Sequence, residues 1–194
     1  MTMVTAMLAM SDRGAVPGFL ATNTSVVTDT LAPNPIFRTD APLDRNRWKS
    51  VVIHHSGELA GNPETIGRLH LEHGARMLGY HFVIGNGKQM GNGVIHVGER
   101  WIRQVAGWHA VGANADFYNE HAIAICLVGN GDRREFTDRQ IEQLIGLVRR
   151  LQRELDIPAS AIRLHRDVAG GLTSSPGRHF PTAVLDQQLL SSLR

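Results

Sequence analysis

Cysteine is almost absent from this chain, which has 194 residues and a single cysteine, Cys126. One thiol excludes an intrachain disulfide, and it also excludes a zinc site built from several cysteines. Cys126 lies within the most apolar run of the sequence. We therefore expect a buried, inert thiol rather than the nucleophile of a thiol hydrolase.

Strong charge and long apolar runs are also lacking. Lys and Arg exceed Asp and Glu by only two, 20 against 18, and the sequence has no basic run with interleaved aromatic residues. We therefore expect no nucleic-acid partner. No stretch approaches the roughly 20 consecutive apolar residues of a membrane span, so we expect no membrane span, and we take the chain to be a monomer.

The first 46 residues show no sustained periodicity. They contain four prolines among small polar residues, and such a composition offers too few apolar groups to offset the entropy of ordering. We expect residues 1–46 to form an extended or partly disordered N-terminal extension and residues 47–194 to form the folded domain. The start, MTMVTAMLAM, lacks the basic region and long apolar core of a secretory signal. Location stays open: the cell envelope or outside the cell if an export signal was clipped, and otherwise the cytoplasm.

Short runs of β-branched and aromatic residues bounded by glycine predict strands. These runs cover residues 49–55, 80–84, 94–97, 101–104 and 122–128. The last run is almost continuously apolar, which is typical of a central strand buried on both faces. An Asn-Gly pair at Asn86 and Gly87 indicates a hairpin, so we expect part of the sheet to be antiparallel.

Three segments carry the signals of helices. The first begins with Asn62 as N-cap and ends near Gly74. The second begins with Thr137 and Gln140 as a capping box and continues with apolar residues at helical spacing. The third covers residues 181–193. Strands interleaved with helices predict an α/β fold, a single domain with a central mixed sheet flanked by helices.

Two histidines at the ends of predicted strands are the first candidates for chemistry. His54 ends the first strand beside His55, and His165 follows a short apolar run and precedes a loop containing Ser175. Catalytic zinc generally takes three protein ligands and a water, and imidazole is a common ligand. Because side chains alternate along a strand, we expect one of His54 and His55 to be the ligand and the other to be structural.

Five motifs in a fixed order say more than any single histidine. They are VVIHHSG, GYHFVIGNGK, GWHAVGAN, HAIAICLVGN, and LHRDV with SSPGRHFP. In this order they resemble the zinc-dependent N-acetylmuramoyl-L-alanine amidases of the type 2 amidase family. That family includes phage lysozymes with amidase activity and the animal peptidoglycan recognition proteins. The resemblance covers about residues 48–181.

The resemblance implies roles for the residues that match. His54 and His165 match the first and second zinc ligands. Tyr80 matches the tyrosine beside the metal-bound water. Thr173 falls where the family has a lysine or threonine near the scissile amide.

The same resemblance implies a substrate groove and exposes one departure from the family. Trp108 and His109 match the part of the groove wall that meets the substrate. Ser175 stands at the position of the third ligand, usually cysteine or aspartate, although a neutral hydroxyl is not a usual zinc ligand. In the animal recognition proteins, serine at this position accompanies peptidoglycan binding without hydrolysis. His179 and Asp167 are alternative candidates for the third ligand.

The implied activity is hydrolysis of the amide between N-acetylmuramic acid and L-alanine in peptidoglycan, during cell-wall degradation or recycling, with Zn²⁺ as cofactor. The implied partner is peptidoglycan or a soluble muropeptide. The alternative is a metal-free domain that binds peptidoglycan in the same groove without cleaving it. Ser175 is the residue that decides between them.

Overall fold

The predicted N-terminal extension lies mostly outside the part of the chain described here. The computed structural model describes residues 35–190, which leaves out residues 1–34 and 191–194. Within the described part of the extension, Ile36, Phe37 and Leu43 pack against the hydrophobic core. The indole Nε1 of Trp101 donates a hydrogen bond of 2.5 Å to the carbonyl of Ile36. This segment is therefore anchored to the domain. No helix among residues 35–190 is long and apolar enough to cross a membrane.

Five strands form one mixed sheet in the order β3-β2-β4-β1-β5. They are β1 (Ser50–His55), β2 (Phe82–Ile84), β3 (Ile95–Val97), β4 (Ala122–Leu127) and β5 (Ile162–Leu164). Strand β1 runs parallel to β4 and β5, and β2 runs parallel to β4 but antiparallel to β3. Every residue of β4 is buried. The central strand, the antiparallel pairing of β2 with β3 and the α/β class are confirmed. The Asn86-Gly87 turn does not by itself join the two strands, because residues 85–94 separate β2 from β3.

Six α-helices surround the sheet in the described residues. They are α1 (Pro63–Glu72), α2 (Glu99–Ile102), α3 (Ala115–His121), α4 (Asp138–Leu155), α5 (His165–Val168) and α6 (Thr182–Leu190). The side chain of Asn62 caps α1 by accepting a hydrogen bond from the backbone of Thr65. Thr137 and Gln140 form the predicted capping box of α4. These caps satisfy backbone N–H groups that have no partner within the helix.

The strand predicted at residues 101–104 is wrong. This segment contains the end of α2, a single helical turn that follows Gly98. An ion pair of 2.5 Å joins Arg103 to Glu99 four residues earlier, which is a helical spacing. Trp101 is fully buried and packs against Phe82. A short segment with one buried aromatic residue can be mistaken for a strand in the sequence, because four residues are too few to distinguish helical from strand periodicity.

Side chains on opposite faces of the sheet enter different clusters. On β1, Val51 and Ile53 join the large core that α4 and α6 complete. The alternate residues Val52 and His54 point to the other face. There α1 contributes Ile66 to a smaller cluster. His54 thus lies on the less apolar side of the sheet.

Candidate active site

The two strand-end histidines meet at one edge of the sheet. Strand β1 presents His54 near its C-terminal end, and His165 begins α5 directly after β5. Because β1 and β5 are parallel neighbours, their C-terminal ends lie side by side. The two imidazole centroids are 4.3 Å apart. The structure therefore brings together the pair that the sequence singles out.

Burial keeps this histidine pair neutral. It lowers the pKa of His54 well below the usual value, with further lowering from His109 and His165. Burial likewise lowers the pKa of His165 to about 4. The Nδ1 atom of His54 and the Nε2 atom of His165 are buried without a hydrogen-bond partner. Neutral imidazoles with unpartnered nitrogens are the form in which histidine binds zinc.

His55 points away from this pair and fastens two loops. Its Nδ1 accepts a hydrogen bond of 3.1 Å from the backbone of Gly131. Its own backbone N–H donates to the hydroxyl of Ser175 at 3.0 Å. This arrangement agrees with the alternation expected along β1, with His54 in the site and His55 outside it.

The third ligand position is the weak point of a metal site here. Ser175 is buried, and its neutral hydroxyl already accepts the hydrogen bond from His55. Among residues 35–190, no three His, Cys, Asp or Glu side chains are grouped so as to hold a metal ion. Neither Asp167 nor His179 therefore completes a set with the two histidines. Two imidazoles fit zinc, whereas the residue in the third position does not.

Tyr80 lies beside His54. Its ring centroid is 5.1 Å from that of His54. Burial raises the pKa of Tyr80 well above its usual value, with further raising by the neighbouring thiol of Cys126. The phenol is therefore protonated at pH 7. Cys126 is fully buried, and burial raises the pKa of its thiol, which agrees with the inert thiol expected from the sequence.

A cavity of about 130 Å³ opens beside Tyr80. Its walls include Trp108 and His109, the two residues expected to meet the substrate. The side chain of Trp108 is 39% exposed, whereas His109 is buried and its Nδ1 lies 3.1 Å from Nε2 of His54. Trp108 therefore faces solvent, and His109 reaches the histidine pair. Thr173 is placed near Ser175, where its hydroxyl accepts the backbone N–H of Ser175 at 3.1 Å.

His70 is a site residue that sequence reasoning missed. It belongs to α1, and its ring centroid lies 4.9 Å from that of Tyr80 and 5.6 Å from that of Trp108. Its Nδ1 accepts a hydrogen bond from the backbone of Gly79. The one available signal was its place four residues after Ile66 on the same helix face, and that signal cannot distinguish a cavity wall from a core position.

A larger groove of about 640 Å³ lies between α4 and α6. Among the predicted site residues and their alternatives, His179 is the one that lines it. The groove belongs to the side of the sheet that α4 covers. Size alone therefore does not locate the chemistry, which is better indicated by the unpartnered histidine nitrogens.

A sequence-family model described as N-acetylmuramoyl-L-alanine amidase matches residues 44–178. The chain belongs to this amidase family. The matched segment contains both histidines of the pair, Tyr80, Trp108 and Ser175. No curated protein sequence matches the chain significantly.

Solved structures agree with the amidase family. The amidase LysC from Clostridium intestinale is 29% identical, with a TM-score of 0.63 over 77% of this chain and 91% of that chain. Drosophila PGRP-LB is 26% identical, with a TM-score of 0.52 over 71% of this chain and 83% of that chain. A mutant of PGRP-LB in complex with tracheal cytotoxin has the same fold at 24% identity, with a TM-score of 0.57 and coverage of 75% and 88%.

Proposed function

We propose that this amidase-family protein hydrolyses the amide between N-acetylmuramic acid and L-alanine in peptidoglycan, with Zn²⁺ held by His54 and His165. The observation that carries the proposal is the buried pair of neutral imidazoles, 4.3 Å apart, with unpartnered nitrogens. A buried polar atom without a partner is costly, so its retention at a strand edge indicates a functional role. Similarity to the Clostridium amidase LysC supports the same reaction.

Bound zinc would supply a water of lowered pKa and would polarise the amide carbonyl. The chain's own groups would orient the substrate and stabilise charge. Tyr80 stays protonated, so its hydroxyl can donate a hydrogen bond to an oxygen that becomes negative. The hydroxyl of Thr173 can donate from the loop on the other side.

Substrate binding would use the cavity beside Tyr80. The exposed face of Trp108 offers apolar area for a sugar or peptide to cover. The cavity of about 130 Å³ is too small to enclose a muropeptide. Most of the substrate would therefore lie across the surface, with one group inserted beside His70 and Tyr80.

Ser175 favours a second candidate function, which is peptidoglycan binding without hydrolysis. Its buried hydroxyl accepts a hydrogen bond from His55 and brings no negative charge to the metal. Two neutral imidazoles alone should retain zinc less firmly than a three-ligand set. In this case the cavity and Trp108 would serve binding alone.

Zinc analysis combined with a digestion assay tests the proposed function. Purified protein is measured for zinc, then incubated with peptidoglycan with and without added Zn²⁺, and free peptides with N-terminal L-alanine are quantified. We expect zinc-dependent release that a chelator abolishes and that His165→Ala removes. His179→Ala serves as the matched control because this exposed histidine lies outside the pair, and it should retain activity.

Sedimentation with insoluble peptidoglycan separates the two candidates. Co-sedimentation without any peptide release, at saturating Zn²⁺, would contradict the hydrolase and support the binding domain. If the protein neither releases peptide nor co-sediments, both candidates are wrong.

A further inference from the structure

We propose that the cavity beside Tyr80 is a carboxylate subsite, in which Nε2 of His70 and Nδ2 of Asn119 donate hydrogen bonds to a free carboxylate of the peptidoglycan stem peptide. Sequence reasoning assigns neither His70 nor Asn119 to the site. The proposal rests on the proposed function in one respect, which is that peptidoglycan is taken as the ligand. It adds the chemical group by which the protein would select among peptidoglycan substrates.

Asn119 presents its amide nitrogen to the cavity, because its oxygen is already used. That oxygen accepts the backbone N–H groups of His109 at 2.8 Å and of Ala110 at 3.0 Å. A backbone N–H can only donate, so the atom that faces these two groups must be Oδ1. The Nδ2 atom has no hydrogen-bond partner among residues 35–190 and is not fully buried. Since Asn119 lines the cavity, it offers N–H donors there.

His70 presents a second donor for the same reason. Its Nδ1 accepts the backbone N–H of Gly79 at 2.8 Å, so the proton of the neutral ring lies on Nε2. Burial and the nearby charge of Arg100 lower the pKa of His70, and the ring is therefore neutral at pH 7. Within the described residues Nε2 has no hydrogen-bond partner, and it is not fully buried. The ring packs against Tyr80 and Trp108, which line the same cavity.

The other polar side chains of the cavity wall bring no negative charge. None of the described residues that line the cavity is Asp or Glu. The indole of Trp108 can only donate a hydrogen bond, and the protonated phenol of Tyr80 can donate one as well. An ionised carboxylate accepts through both oxygens and forms stronger hydrogen bonds than a neutral acceptor does. A primary amide in its place would bring its own N–H groups against these donors.

Arg100 favours an anion over a neutral acceptor in the cavity. Its half-buried guanidinium donates to the carbonyl of Leu78 at 2.8 Å and to that of Ala106. In the described part of the chain no carboxylate forms an ion pair with it. The charge of Arg100 lowers the pKa of His70, so its positive potential extends to the cavity wall. Partial burial strengthens this effect because water screens it less.

The size of the cavity limits the ligand to one small group. About 130 Å³ admits a carboxylate but not a whole muropeptide. The stem peptide carries such a group on the glutamate that follows L-alanine, and this group is either a free carboxylate or an amide. The subsite would therefore distinguish the two forms of the stem peptide.

Calorimetric titration at pH 7 with two muropeptides tests the proposal. N-acetylmuramoyl-L-alanyl-D-isoglutamate and the corresponding isoglutamine compound differ only in a carboxylate against an amide. The full chain is titrated in the presence of a neutral chelator, which prevents turnover and does not itself bring a carboxylate. We expect the carboxylate form to bind about tenfold more tightly, because hydrogen bonds to a charged group are the stronger ones.

Asn119→Asp is the decisive variant. It keeps an oxygen for the two backbone N–H groups and replaces the amide nitrogen at the cavity by a carboxylate oxygen, so the preference for the carboxylate form should disappear or reverse. Asn114→Asp is the matched control, because it adds the same charge at the exposed N-cap of the same helix, where the side chain makes no capping hydrogen bond. The preference should persist in this control.

His70→Asn provides a second variant, which decides the matter if Asn119→Asp fails to fold. It keeps an acceptor near the Nδ1 position for the backbone of Gly79 and removes the Nε2 donor. The preference for the carboxylate form should fall by about threefold or more. Three results would overturn the proposal: equal affinity of the unsubstituted protein for the two muropeptides, binding of neither, or an unchanged preference in His70→Asn and Asn119→Asp.

The outcome of these titrations is separate from that of the digestion assay, since they require neither zinc nor turnover. A preference for the carboxylate form in a protein that never releases peptide would contradict the proposed hydrolase and leave the subsite intact. Peptide release by a protein that binds both forms equally would refute the subsite and leave the hydrolase intact.

Discussion

The two faces of the central sheet are made from the same strands, yet they differ in what their side chains do. Toward α4 and α6, alternate residues such as Ile53, Ile125 and Leu127 form a continuous apolar core. Toward α1, their strand neighbours include His54 and Cys126, which lie opposite each other on β1 and β4. One face consists of apolar packing, whereas the other mixes small apolar residues with buried polar rings.

This difference shows how a small domain can contain a buried polar site and still be stable. Burying neutral histidines costs free energy unless their hydrogen bonds are satisfied. On the α1 face, the unpartnered nitrogens of His54, His109 and His165 carry that cost. The apolar core across the sheet holds the strands in register regardless of what the α1 face contains. Stability and chemistry therefore come from opposite sides of one strand.

Truncation on the α4 face should have the largest effect on folding. We expect Ile125→Ala to lower the free energy of unfolding by about 2–5 kcal/mol, since it leaves a cavity in a fully buried site. Cys126→Ala, at the next position and equally buried, removes one sulfur atom and should cost about 1 kcal/mol. Urea denaturation of both variants provides the measurement. Equal losses of unfolding free energy at the two positions would show that the two faces of the sheet contribute equally to stability, which would contradict this comparison.

The second-largest effect should come from acid, which should lower the contribution of the polar side of the sheet to the free energy of unfolding. His81 accepts the backbone N–H of Ala124 and contacts the carbonyl of Val105 through its other nitrogen, and burial lowers its pKa to about 3. The unfolded chain binds a proton near pH 6.5 and the folded chain does not. This contribution to stability is therefore complete above pH 6.5 and is lost as the pH falls toward 3, by at most about 1.4 kcal/mol per pH unit.

Urea midpoints between pH 7 and pH 5 check this prediction. Stability should fall with acid, and the slope should become shallower in His81→Gln even if that variant is less stable overall. His73→Gln is the matched control, because it makes the same substitution at an exposed position. The buried histidines His54, His109 and His165 also have lowered pKa values, so they contribute to the slope with the same sign.

The affinity of the site for zinc should depend on which atom the side chain of residue 175 ends in, oxygen or sulfur. Ser175→Cys replaces a neutral hydroxyl by a thiol that zinc can deprotonate, and we expect zinc to bind at least about tenfold more tightly. Competition with a chromophoric chelator measures the affinity. Ser175→Ala is the control, since it removes the acceptor for His55 without supplying a ligand. Equal zinc affinity in all three proteins would mean that residue 175 does not reach the metal.

Much of the fold was predictable because its signals are local. The capping box at Thr137 and Gln140 and the apolar run of β4 each follow from a few consecutive residues. The turn around Trp101 was not predictable, since its helical form depends on distant packing against Phe82. The short helix α3 has no buried residue and so no apolar stripe to reveal it.

The sequence predicted which residues belong to the candidate site better than it predicted which of them are in contact. Resemblance of ordered motifs named His54, His165 and Tyr80, and parallel pairing of β1 with β5 explains why the two histidines meet. The contact of His109 with His54 spans 55 positions, and no sequence spacing encodes it. His70 was missed for the same reason, because its neighbours Tyr80 and Trp108 come from other segments.

Substitution of Trp108 should have the smallest effect on stability. It should also distinguish most clearly between substrate binding on the histidine face and binding on the α4 face. Its side chain is 39% exposed, so Trp108→Ala should change the free energy of unfolding by about 0.5 kcal/mol or less. Its exposed ring borders the cavity beside Tyr80, and losing an aromatic contact at a binding surface typically costs about 1 kcal/mol, a several-fold loss of affinity for muropeptide. Calorimetric titration with a soluble muropeptide measures that loss.

Val184→Ala is the matched control for Trp108→Ala. Val184 is 46% exposed but lines the groove between α4 and α6, so the affinity for muropeptide should not change. If Val184→Ala weakened muropeptide binding and Trp108→Ala did not, the substrate would bind on the α4 side, and the assignment of chemistry to the histidine face would be wrong.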